Sequence, residues 1–152
     1  MYEGLLRVGC IFRGPGVPHA KRVNDPVSNL DFAATFLDYA GFEPLERLHS
    51  QSLRPLIESE NTVRTHAFSE WDLRPSRSGV RLQLQTVRTK THKLTVDQIS
   101  GAGELYDLVN DPNELENLFD RPEHDTIRVS LESYLSDRPD DIRAPLSQSG
   151  MA

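Results

Sequence analysis

The chain has one cysteine, Cys10, so it cannot close a disulfide within itself, and its cysteine usage leaves the compartment undetermined. No apolar run approaches the roughly 18 residues that a membrane-crossing helix needs, and the first residues lack the basic-then-apolar order of a signal peptide. The five histidines, at 19, 49, 66, 92 and 124, show neither H-x-H nor H-E-x-x-H spacing, so each reads as a surface or turn residue. Also missing are G-x-S-x-G, a phosphate-cradling loop and a glycine-rich dinucleotide fingerprint. With a net charge of −6, neither nucleic acid nor a membrane is an expected partner.

What is present suits an ordinary folded domain. At 37% hydrophobic and 26% charged, the composition is that of a soluble globular chain. Its 152 residues are enough to bury roughly 70% of the unfolded surface. Charge is unevenly placed. Residues 74–93 carry Arg74, Arg77, Arg81, Arg88, Lys90 and Lys93 and no acid, while residues 104–152 carry twelve acids against four arginines. Such a basic stretch either serves an anionic ligand or faces an acidic neighbour.

Residues 5–12 form a mostly apolar run closed by Arg13-Gly14-Pro15-Gly16, which predicts a strand buried on both faces, with Cys10 in its core. Ser28-Asn29-Leu30-Asp31 has the form of a capping box, and a helix over residues 29–40 follows, apolar nearly all round and stopped by Gly41. Residues 43–64 read as a connector with one helical turn at 52–57. Three strands are expected at residues 66–71, 80–88 and 93–97, with a bulge at Thr86-Val87, where the apolar alternation changes phase. Residues 105–109 give a fourth strand, ended by Asn110-Asp111-Pro112-Asn113 because proline has no N–H for a ladder. Residues 114–119 then suggest a helical turn facing Leu115, Leu118 and Phe119 inward. Ile127, Leu131, Tyr134 and Leu135 mark the inner stripe of a helix at 123–136, for which Asp120 and Glu123 offer a capping box. Residues 138–152 carry little apolar matter and read as a polar tail.

The order E-L-Y-D-L-x-x-D-P-x-E-x-x-N-L over residues 104–118 resembles the C-terminal signature of the sulfatases, the alkaline-phosphatase-like hydrolases of sulfate esters. Further segments are similar to the same family: Tyr2-Glu3-Gly4, Arg7-Val8, Arg13-Gly14-Pro15-Gly16, the helix end Leu37-Asp38-Tyr39-Ala40-Gly41, Gln51-Ser52-Leu53-Arg54-Pro55-Leu56, and Val87-Arg88-Thr89-Lys90-Thr91-His92-Lys93-Leu94. Gly9 departs from the family, which usually has proline there, and His49 or Ser50 replaces a glycine.

This resemblance, to enzymes of the arylsulfatase, choline-sulfatase or sulfohydrolase type, implies an α/β fold of which only the C-terminal part is represented. Residues 1–60 would be a buried strand and helix of the large domain plus the connector. Residues 61–137 would be a small subdomain, a four-stranded antiparallel sheet with a C-terminal helix, and residues 138–152 the tail. For the full-length parent the family implies Ca²⁺ or Mg²⁺, a formylglycine made within Cys/Ser-x-Pro-x-Arg, and lysines and histidines around the sulfate. The chain itself contributes none of these. Cys10-Ile11-Phe12-Arg13 lacks the proline and has its arginine one place early, and the family's last active-site lysine would lie upstream of Met1. The expectation is a part that is not catalytic alone, that calls for the missing N-terminal part, and that belongs to an enzyme acting on a sulfate-ester small molecule or sugar. A phosphonate monoester hydrolase or phosphodiesterase of the same superfamily, or a free-standing binding module, are the alternatives.

Only the stretch from Glu70 to Gly79 is a candidate to touch substrate. In the family such loops rim the pocket, and Glu70, Trp71, Arg74 and Arg77 could hold a sugar or an anion by stacking and fork hydrogen bonds. The competing reading is a solvent loop with Trp71 over the sheet edge.

Overall fold

A computed structural model describes residues 1–43, 49–59, 61–73 and 79–138. The meander is present as β1 (His66–Leu73), β2 (Leu82–Thr89), β3 (His92–Asp97) and β4 (Gly103–Asp107), one sheet in the order β1-β2-β3-β4 with every neighbouring pair antiparallel. The β2–β3 connection is a two-residue turn closed by Thr89, whose hydroxyl accepts the His92 N–H at 3.0 Å and donates to the His92 carbonyl at 3.1 Å. Asp97 closes the β3–β4 turn, accepting from the N–H groups of Gln83, Ile99 and Ser100 and from the Ser100 hydroxyl, while Gly101 supplies the left-handed residue (φ +75°).

The Ser100 hydroxyl, followed by those backbone donors, holds the Asp97 carboxyl at about 2. A folded pKa below the unfolded value of about 3.9 means that the contribution is complete above that value and is lost as pH falls through about 2. Asp97→Asn should therefore flatten the fall of stability between pH 4 and pH 2, measured by urea unfolding at each pH.

After the shorter helices α1 (Glu3–Leu6), α2 (Asp31–Tyr39) and α3 (Arg54–Ser59), helix α4, Asp125–Ser136, lies on one face of the sheet. The expected stripe is correct: Leu131 is buried with Val87, Leu94 and Leu105, and Ile127, Tyr134 and Leu135 pack around them. Its entry differs from expectation. Pro122 begins a single 3-10 turn, Pro122–His124, so the cap positions fall on Arg121 and His124 and the Asp120–Glu123 box does not form.

No bulge occurs at Thr86-Val87. The register runs unbroken, with Val87 opposite Phe68 and Leu94, and Thr86 opposite Ser69 and Thr95. Both residues are buried, on opposite faces, because the sheet is covered twice: by α4 on the Val87 side and by residues 1–3 on the Thr86 side. A second cover that arrives from the far end of the chain produces the same change of alternation as a bulge would.

Residues 5–12 are not a strand. Glu3–Leu6 is one helical turn, α1, and the residues after it have no regular structure; Ile11 is 96% exposed and Cys10 is an exposed free thiol. A strand needs the ladder of a sheet edge, and among the described residues the segment 5–12 pairs with none of β1–β4. The next helix, α2, Asp31–Tyr39, ends at Gly41 (φ +77°) as its sequence signals. Ser28 donates its N–H to the Asp31 carboxylate at 2.8 Å, but the Ser28 hydroxyl accepts from Leu30 rather than from the helix, so only half the box forms. Nor is α2 buried all round. Asp31, Ala34 and Thr35 face α3 (Arg54–Ser59) and the connector, and the opposite side is open.

Asp31, fully buried, takes both arms of Arg64 and the N–H of Gln51, and Thr35 accepts the Leu53 N–H at 2.9 Å. Together with Arg54 on Asp38, these bonds tie α2 to α3 and to the start of β1. Around them Leu53, Leu56 and Ile57 form a second small core with Phe12, Val17, Phe32, Tyr39 and Val63.

Candidate functional site

Of the four residues expected at a substrate rim, the two within the described residues, Glu70 and Trp71, are on opposite sides of the sheet. Glu70 and Trp71 are neighbours on the edge strand β1 and so point to opposite faces of the sheet. Glu70 is on the α4 face, ion-paired with Arg138, whose guanidinium also lies 5.5 Å over the Phe68 ring. Trp71 is on the other face, opposite Leu84, and is 43% exposed. Arg74 and Arg77 lie outside the described residues, as do residues 139–152 of the expected tail.

The charged groups that do gather are at a place that periodicity does not show. On the face opposite α4, Arg88, Lys93 and Tyr106 stand side by side across β2, β3 and β4, next to the row Thr86, Thr95 and Glu104. Lys93 is completely buried and ion-paired with Glu114, with Glu3 4.0 Å away. Its ammonium also lies over the rings of Tyr106 and Tyr2, 5.6 and 6.0 Å from their centroids. Glu114 accepts the backbone N–H of Glu3 at 2.6 Å, and Arg88 reaches the Glu3 carboxylate at 3.4 Å. The amino group of Met1 completes the row, bonded to Thr95 at 3.2 Å and to Glu104 at 3.1 Å. Burial pushes the Lys93 ammonium down to about 8 against the pull of Glu3 and Glu104, and burial raises the Tyr106 hydroxyl. Three of the segments singled out in the sequence, Tyr2-Glu3-Gly4, Val87 to Leu94, and the stretch from Glu104 to Leu118, thus meet at one buried lysine.

Several fixed residues of that last stretch have identifiable structural tasks. Leu105 is core, and Asp107 holds its turn by accepting from the N–H groups of Val109 and Asn110. Asp111 accepts from Leu115 and Glu116. Glu114 sits at φ +57°, a left-handed conformation unusual for a side chain of its size, and its ion pair and the Glu3 bond hold it there. Asn117 accepts from Leu105 and Phe119 and donates to the Gly103 carbonyl, doing for the outer edge of β4 what another strand would do. The expected helical turn at 114–119 is absent, since left-handed Glu114 and the Asx-type bonds of Asp111 impose a different path. Leu118 and Phe119 reach the core while Leu115 is left 84% exposed.

Among the described residues no group of three or more His, Cys, Asp or Glu is placed to hold a metal ion. Cys10 is not in a formylglycine motif. The described residues therefore do not fit a sulfatase metal or nucleophile, and what they build is a buried clamp.

Comparison with known proteins gives the clamp a context. Residues 1–141 match the family model described as N-sulphoglucosamine sulphohydrolase, C-terminal. The chain is 32% identical over 134 residues to the N-acetylglucosamine-6-O-sulfatase of Bacteroides thetaiotaomicron, a match covering 82% of this chain and 23% of that protein. Among solved structures, a 2-O GAG sulfatase is similar with a TM-score of 0.73 and 29% identity, covering 90% of this chain and 31% of that one. A second, solved in complex with its substrate D-glucosamine-2-N,6-O-disulfate, has a TM-score of 0.61 and 28% identity, covering 70% and 22%. The chain spans about a quarter of the length of the curated relatives it matches.

Proposed function

This chain belongs to the N-sulphoglucosamine sulphohydrolase C-terminal family, and on that premise we propose that it serves as the C-terminal scaffold of a hydrolase that cleaves sulfate esters of amino sugars. The observation that carries the reading is the meeting of three of the family segments at Lys93, which fastens residues 1–3 to the small sheet. The relatives named for a 6-O-sulfated glucosamine and bound to a disulfated one support the substrate class. In this reading residues 1–60 complete the large domain, residues 61–137 are the small subdomain, and residues 138–152 are a tail. The metal, Ca²⁺ or Mg²⁺, and the formylglycine belong to the part of the parent outside this chain, where they supply charge neutralisation and the nucleophile. The role of this chain is to hold that part in place and, through Trp71 and the segment carrying Arg74 and Arg77, to border the sugar.

The test is sulfate release measured by ion chromatography. A polypeptide carrying this chain behind a sulfatase large domain, matured and supplied with Ca²⁺, should release sulfate from glucosamine 6-sulfate and leave phenyl phosphonate esters intact. Residues 1–152 alone should release none. Sulfate release by residues 1–152, or preference of the longer polypeptide for the phosphonate ester, would overturn the reading.

A further inference from the structure

We propose that Lys93 and Glu114 are positioning residues for the hydrolysis: acting through Glu3, they fix the point at which the catalytic part of the parent enters this chain. The proposal rests on the functional reading above. In that reading the metal and the nucleophile precede Met1, so the covalent link between them and the small sheet runs through residues 1–3. The first element after that link, α1, buries none of its residues, so the hold on it is polar.

Glu3 is held at both ends. Its backbone N–H, at the start of the α1 turn, goes to the Glu114 carboxylate at 2.6 Å, and its own carboxylate faces Arg88 at 3.4 Å and Lys93 at 4.0 Å. The bonds of the Met1 nitrogen are of a different kind. With polypeptide before it that nitrogen is an amide with one proton, which cannot serve both Thr95 and Glu104 fully. The Glu3 contacts use atoms that a preceding residue leaves unaltered, so Glu3 is the anchor.

Stability does not account for this arrangement. A buried ion pair exchanged for apolar groups of similar volume is often neutral, and Glu114 in addition holds a left-handed backbone, φ +57°, that most side chains avoid. What the charged clamp adds is a single geometry, because Lys93 and Glu114 meet Glu3 only in this register. One of its oxygens, Glu3 Oε1, is buried and accepts no hydrogen bond among the described residues. A buried carboxylate oxygen without a donor calls for one, and the catalytic part that adjoins residues 1–3 is the polypeptide placed to supply it. A displacement of about 1 Å in that part can cost on the order of 100-fold in rate.

The experiment joins about the N-terminal three quarters of the Bacteroides thetaiotaomicron N-acetylglucosamine-6-O-sulfatase to Met1 and measures kcat and KM on glucosamine 6-sulfate, together with amide hydrogen exchange at Glu3. Lys93→Met with Glu114→Leu should melt within a few degrees of the unaltered fusion. Its Glu3 amide should nevertheless exchange at least about 10-fold faster, and its kcat should fall roughly 10- to 100-fold with KM within about twofold. Glu3→Gln, which leaves the Lys93–Glu114 pair and the core under α4 in place, should lower kcat about 10-fold with the same small change in KM. A folded variant of either kind with unchanged kcat would sink the proposal, and so would a raised KM at constant kcat, the sign of a binding role. If the fusion cleaves phenyl phosphonate esters and not the sulfate, the functional reading falls, and the same variants measured on that ester still decide the positioning.

Discussion

Lys93→Met is expected to lower the unfolding free energy by about 3–5 kcal/mol, the range found when one member of a buried ion pair is removed. The cost arises because Glu114, whose side chain is 4% exposed, and Glu3 at 15% keep their charges in a site that no longer holds a cation against them. At roughly 2–4 °C per kcal/mol for a chain of this size, the melting temperature should fall by about 6–20 °C. Removing the charge from both sides should behave differently. Lys93→Met with Glu114→Leu should recover most of the loss, since a buried pair exchanged for apolar groups is often neutral. A double variant no better than the single one would mean that Glu114 is not the principal partner.

The second large effect is in the core under α4. Leu131→Ala removes a fully buried side chain from among Val87, Leu94 and Leu105, and should cost about 2–5 kcal/mol through lost burial and the cavity left behind. Leu115→Ala, at a residue the sequence places in the same core, should change stability by no more than about 0.5 kcal/mol, because that side chain meets solvent. Urea midpoints at unchanged m-value would read both. Equal costs would mean that residues 114–119 fold inward as a helical turn after all.

The contrast between those two leucines shows what was legible. The α4 stripe at 127, 131, 134 and 135 could be read because one helix packing on one sheet face imposes a single period on its own residues. The four strands and their short connections were legible for the same reason, and Gly41 marked a helix end by its conformational freedom. Leu115 was misread because its position is set by two bonds to the Asp111 carboxylate and by the left-handed Glu114, neither of which leaves a periodic trace. Residues 5–12 carry the composition of a buried strand, but composition specifies the need for a neighbour without supplying one.

The site was the least legible part. Glu70 and Trp71 looked like partners because they are adjacent in sequence, and adjacency in a strand is what separates them in space. In the sequence Lys93 is only one of a run of cations and part of a family segment. Its partners are Glu3, ninety residues before it, and Glu114, twenty-one after it, and no local pattern connects charges that meet only when the sheet has formed. The family segments were visible, whereas their shared task required the fold.

That shared task is best tested by a double-mutant cycle between Glu3→Gln and Lys93→Met, read by urea unfolding of residues 1–152. If residues 1–3 are clamped to the small sheet, the two substitutions should be coupled by about 0.5–3 kcal/mol. Additivity within roughly 0.3–0.5 kcal/mol would mean that Glu3 and Lys93 do not act together and that the clamp does not exist.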